Sequence, residues 1–130
     1  MKKSMEKYMN DQKQFSLSIS PAQYQHAIAL YDALLAQDLN KIYDLINSQV
    51  KAELQQKTES LQAAFTVLEG KNQTEAELIA IEKTTDASWG QIYKVSFQFD
   101  YVENNILYTV VFADGNKPDI IGFWINQTQN

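Results

Sequence analysis

Few of the titratable side chains in this sequence stand where two of them could act on one substrate. His26 is the only histidine. On a helical wheel it falls about 200° from Tyr24, away from the Tyr24–Ile28–Tyr31 stripe, so it is expected to face solvent as a structural residue. A single histidine in a chain without cysteine also makes a poor zinc site. Asp32 lies about 80° from the centre of the same stripe, at its edge. There it either points into the mouth of a pocket or stays a solvated boundary carboxylate. Asp38 is placed to cap a helix. Glu75 and Glu77 share a polar linker too loosely placed to be read as a metal pair. A general base must reach its substrate at hydrogen-bond distance, and no such set emerges. No catalytic residues, metal or cofactor are assigned.

Aromatic side chains offer the other candidate chemistry. Tyr24, Tyr31, Tyr43, Tyr93, Tyr101, Tyr108, Trp89 and Trp124 combine broad apolar surfaces with polar tips. That combination lines pockets for small apolar ligands, and it also fills cores, where each hydroxyl and indole N–H still needs a partner. Trp89, in a turn after Asp86, is expected to be partly exposed. The candidate ligand-binding residues are Tyr31, Asp32, Trp89, Phe97, Tyr108 and Trp124. A cavity bounded by Tyr31, Phe97, Tyr108 and Trp124 would mark the site.

Composition removes several function classes. The net charge is −5 and every one of the 11 basic residues is Lys. Without arginine forks or a basic patch, neither a nucleic acid nor an acidic membrane surface is expected as a partner. The absence of cysteine excludes disulfides and thiolate catalysis. No glycine-rich phosphate loop, nucleophile elbow, zinc-protease helix or calcium loop is present. The opening MKKSMEKYMNDQKQF is basic, but no apolar run of the ~7–15 residues typical of a signal peptide follows it. No stretch approaches the ~20 apolar residues of a membrane span. As written, the sequence reads as soluble and cytoplasmic; an exported or envelope-associated setting would follow if an N-terminal signal had been removed.

The elements that must position these residues follow from periodicity. A polar lead-in covers residues 1–18, a single α+β domain residues 19–126, and a polar tail residues 127–130. Ser20-Pro21-Ala22-Gln23 is a capping-box start with Pro at the first helical position. Apolar residues at Tyr24, Ala27, Ile28, Tyr31, Leu34 and Leu35 continue one helix to about Ala36. Asp38 caps a short second helix through Ile42 and Ile46. Asn47-Ser48 opens a third, carrying Val50, Leu54, Leu61, Phe65 and Leu68, which Gly70 ends. The period then changes to two. Strands are predicted around Leu78–Thr85, from Gln91 to Tyr101, from Ile106 to Ala113 and from Asp119 to Asn126. Turns are expected at Asp86–Gly90, Glu103–Asn105 and Asp114–Pro118. One apolar and one polar sheet face means that the three helices cover a single side.

That order of elements, with the segment Gln37-Asp38-Leu39-Asn40-Lys41-Ile42-Tyr43-Asp44-Leu45 and the closing ADGNKPDIIGFWI, resembles the cystatin-like roll of the nuclear-transport-factor-2-like superfamily, and in particular its small bacterial members of unknown function. The resemblance covers about residues 20–126. It implies three N-terminal helices packed on one face of a curved four-stranded antiparallel sheet, often with a cone-shaped pocket. Members of the superfamily include isomerases, dehydratases, transport factors, secretion-system scaffolds and dimerisation modules, so the fold does not select a function. The inner row Tyr93, Val95, Phe97, Phe99, Tyr101 carries no acid or base. The expected role is therefore a non-catalytic protein-interaction or dimerisation module, as a homodimer or with a protein partner. The alternative is a binder of a small apolar ligand between sheet and helices, and after it an isomerase- or dehydratase-like enzyme.

Overall fold

Ser20 starts the first helix as its sequence dictates. Its Oγ accepts from the Gln23 N–H at 3.1 Å, and Gln23 Oε1 accepts from the Ser20 N–H at 2.8 Å. This is a reciprocal capping box with Pro21 in the first turn. The computed structural model describes residues 17–113 and 117–128. Most of the predicted lead-in, the first three residues of the Asp114–Pro118 turn and the last two residues of the predicted tail lie outside these.

Helix α1 (Pro21–Ala36) buries Tyr24, Ala27, Leu30, Tyr31, Ala33 and Leu34. Its buried face is centred closer to Leu30 than the predicted stripe, leaving Ile28 and Leu35 half-buried. It ends at Gln37, whose φ of 55° lies in the left-handed region. The following N–H, of Asp38, donates to the Ala33 carbonyl at 3.0 Å. Helix α2 (Leu39–Leu45) is capped by the Asp38 carboxylate, which accepts from the Lys41 N–H at 3.2 Å.

The predicted third helix is two. Helix α3 (Ser48–Gln56) and helix α4 (Glu59–Leu68) are separated at Lys57, whose backbone is extended. The cause lies in the stripe. Val50 and Leu54 call for an apolar residue one turn later, and the sequence supplies Lys57 and Thr58 there. With nothing to bury, that turn opens, and α4 rotates independently to bury Leu61, Ala64, Phe65 and Leu68. Gly70, at φ +78°, stands just past its end.

Strands β1 (Ala76–Asp86), β2 (Gly90–Asp100), β3 (Asn105–Ala113) and β4 (Ile120–Thr128) form one antiparallel meander in sequence order. β4 runs two residues into the predicted tail. The domain is thus α+β, with four helices among the described residues and a curved four-stranded antiparallel sheet. The inner face presents Val95, Phe97, Phe99, Ile106, Tyr108, Val110, Phe112 and Ile120, all buried. The outer face is polar along most of its length, where Ser96 and Thr109 pair across strands at 3.0 Å. At its end near the β1–β2 turn, however, Ile92 and Val111 are buried outside the main core.

Two bulges shape the sheet, at Ile79 in β1 and at Ile121 in β4. The start of β4 is stitched to the α2–α3 connection. The Asn47 N–H donates to the Ile120 carbonyl at 2.8 Å and its Nδ2 to Asp119 Oδ1 at 3.0 Å, while its Oδ1 accepts from the Gln49 N–H and caps α3.

The left-handed Gln37 yields a stability prediction. An L-residue pays about 1–2 kcal/mol for that conformation, and glycine avoids this at an unfolded-state entropy cost of about 0.4–1 kcal/mol. Gln37→Gly should stabilise the domain by about 0.5–1 kcal/mol, read as an increased midpoint in urea. A lower midpoint would mean that the glutamine side chain holds the cap.

Candidate functional site

Three of the predicted site residues meet in the interior, and they fill it. Tyr31, Phe97 and Tyr108 are at most 1% exposed. Tyr31 stacks on Phe99 with ring centroids 3.7 Å apart and planes 1° from parallel. Tyr24 meets Phe97 edge-on at 5.7 Å. The Tyr108 hydroxyl donates to the Ala27 carbonyl at 2.8 Å. The space between α1 and the sheet, where an open cavity would have marked a ligand site, is occupied by rings in contact.

Asp32 stands at the end of this aromatic block. The Tyr31 hydroxyl donates to Tyr101 Oη at 2.9 Å, and the Tyr101 hydroxyl donates to the Asn72 carbonyl at 2.8 Å. Lys71 Nζ lies 5.2 Å from the Tyr101 ring centre. Burial raises the Asp32 carboxyl above its ordinary value, and a hydrogen bond with Gln73 and the charge of Lys41 act in the opposite direction. Burial raises all three neighbouring tyrosines, Tyr31, Tyr101 and Tyr108, with the Asp32 charge adding to it. Phenols shifted in this direction remain neutral hydrogen-bond donors. The arrangement orders the C-terminal half of α1 against the loop before β1. Among the described residues, no group of three or more His, Asp or Glu side chains is placed to hold a metal ion.

Trp89 and Trp124 belong to the opposite face. Asp86 Oδ1 accepts from the Ser88 and Trp89 N–H groups at 2.7 and 3.0 Å, and Gly90 at φ +74° completes the turn that presents Trp89. Both indoles line a shallow trough of about 330 Å3 on the outer face, with Ile92, Val111, Gly122 and Lys94. Trp124 is 52% exposed. A Cβ built on Gly122 would lie 3.8 Å from both Trp124 Cη2 and Val111 Cβ, so Gly122 is the floor over which the indole lies. The sheet therefore separates Trp89 and Trp124 from Tyr31, Phe97 and Tyr108, and no single cavity contains all the predicted residues.

A second open groove, also of about 330 Å3, was not anticipated. It runs along β4 beneath α3 and α4, lined by Val50, Leu54, Ala63, Phe123, Trp124 and Ile125 among others. One signal for it was in the sequence: Phe123-Trp124-Ile125 places apolar side chains on both faces of one strand. That Val50 and Leu54 lie on a helix that buries no residue fully emerges only in the structure.

Comparison of the chain with protein-family models, with curated proteins and with solved structures finds no match.

Asp32 carries a pH prediction. In the folded protein burial holds its carboxyl above the ordinary aspartate value. The folded state therefore holds this proton more tightly than the unfolded chain, and ionisation costs stability as pH rises from the unfolded value through the folded one. Asp32→Asn should match the parent protein at low pH, gain stability across that window and keep the gain at neutral pH. Urea unfolding at a series of pH values measures this. A variant less stable than the parent at neutral pH would show that Gln73 and Lys41 outweigh burial.

Proposed function

We propose that this chain is a non-catalytic protein-interaction or dimerisation module built on a cystatin-like roll. The order of helices before a four-stranded meander, with one long helix across the inner face, supports the roll. The contrast between inside and outside supports the function. Tyr31, Phe97 and Tyr108 are packed and hydrogen-bonded in the interior, whereas Trp124 stands half exposed beside an open apolar groove. An exposed aromatic next to an apolar groove is a common anchor for protein contacts. An isomerase- or dehydratase-like activity would need Asp32 to face an open chamber, and Tyr31, Phe99 and Tyr108 occupy that space.

One observation favours a second reading. The groove between β4 and helices α3 and α4 is apolar and of a size that small ligands fill. Native mass spectrometry of the protein purified without denaturation separates the two readings. The expected result is the mass of the bare chain or a multiple of it, with a photo-crosslinking side chain at position 124 forming discrete protein adducts. A small apolar molecule that travels with the folded protein and leaves on unfolding would replace the first reading with the second.

A further inference from the structure

The two tryptophans of this chain, Trp89 and Trp124, line the same trough on the outer face of the sheet. Trp89 comes from the β1–β2 turn and Trp124 from β4, the strand at the opposite edge. Between them the floor is apolar and low. Ile92 of β2 and Val111 of β3 are buried, and Gly122 of β4 has no side chain. The rim is polar and includes Thr84, Asp86 and Lys94. Asp86 Oδ1 is held by the N–H groups of Ser88 and Trp89. No hydrogen bond among the described residues engages Asp86 Oδ2, the Thr84 hydroxyl or either indole N–H. Donors and acceptors that the fold does not use therefore border one apolar floor.

We propose that this trough binds a glucose-type pyranose ring within a β-linked oligosaccharide. This goes beyond the interaction-module reading and does not rest on it. The lining selects a neutral ligand. A cation would meet the Lys94 ammonium, and an anion would meet the Asp86 carboxylate on a chain of net charge −5. A wholly apolar ligand would strip water from Asp86, Lys94 and Thr84 without replacing its hydrogen bonds. A glucose-type ring meets both demands. Its hydroxyls stand equatorially around the edge, which leaves C–H groups on the two faces. The faces suit the indoles and the aliphatic floor. Each hydroxyl both donates and accepts, matching a rim that holds a carboxylate, a hydroxyl, an ammonium and indole N–H groups. The trough, of about 330 Å3, has the volume of a small-ligand site. Because it is shallow, further rings of an extended β-linked chain can continue over the outer face, where Ser96 and Thr109 present hydroxyls.

Intrinsic fluorescence tests the proposal directly, because both tryptophans line the trough. Cellotriose or chitotriose, titrated into the millimolar range, should change the emission saturably. The affinity should be the same at low and high salt, as for a neutral ligand. Asp86→Asn keeps the Oδ1 acceptor that holds the turn and removes the acceptor at Oδ2. It should retain the far-UV circular dichroism of the parent and bind about tenfold more weakly. Trp89→Ala should weaken binding at least as much; Trp89 lines the trough but not the groove beneath α3 and α4. Emission unchanged by both sugars overturns the proposal, as does sugar binding that either variant retains at the parent affinity or that falls steeply with salt. Tighter saturation by adenosine than by either sugar also overturns it, by assigning the trough to a planar aromatic ligand. Any of these failures leaves the interaction-module reading standing, because crosslinking at position 124 tests that reading separately.

Discussion

A buried phenol must find an acceptor, and Tyr108 finds the Ala27 carbonyl in the middle of α1 at 2.8 Å. That bond fixes where the long helix lies on the sheet. One turn earlier, Gln23, the one buried non-aromatic polar side chain among the described residues, donates to the Lys117 carbonyl at 3.1 Å. One turn later, Tyr31 donates to Tyr101. Positions 23, 27 and 31 share one helix face, so three polar contacts in a row pin α1 to the β3–β4 connection, to the middle of the sheet and to the end of β2. Burial of apolar rings supplies the drive to fold. The polar contacts decide the position, because displacing the helix would strand buried donors at about 1–3 kcal/mol each.

The same contacts decide what the interior can hold. With the helix held at Ala27, Tyr31 falls directly onto Phe99, and Tyr108 stands between Tyr31 and Phe97. Asp32, the next residue after Tyr31, is left at the rim, half-buried beside phenols whose protons are already committed. A carboxylate there can tune the local field but has no open chamber to act upon.

Much of the fold was legible because it rests on local chemistry. The caps at Ser20, Asp38 and Asn47 are visible as residue types at helix starts, and the alternation from Gln91 onward is visible as period two. What stayed hidden depends on single extra or missing residues. The break at Lys57 follows from one absent apolar turn. The side of the sheet to which Trp124 belongs follows from one added residue. Counted in twos from buried Ile120, Gly122 and Trp124 would face inward with Phe97 and Tyr108. The bulge at Ile121 reverses that parity, bringing Phe123 opposite Val110 and Trp124 opposite Thr109. The residues of the candidate cavity therefore divide between two faces, with Tyr31, Phe97 and Tyr108 inside the core and Trp124 on the surface.

This reversal also explains why the exposed surface rather than the interior holds the unusual chemistry. A strand at a sheet edge is normally apolar on its inner side and polar on its outer side. After the bulge, β4 directs Phe123 and Ile125 inward toward α3 and α4 and Trp124 outward over Gly122. Over residues 123–125 it is apolar on both faces, the pattern of a strand covered above and below. β1, at the other edge, carries Glu77, Glu82, Lys83 and Asp86 around the apolar run Leu78–Ile81. Between Ile120 and Thr128 β4 holds no charged residue, so the two edge strands of one sheet differ most in charge.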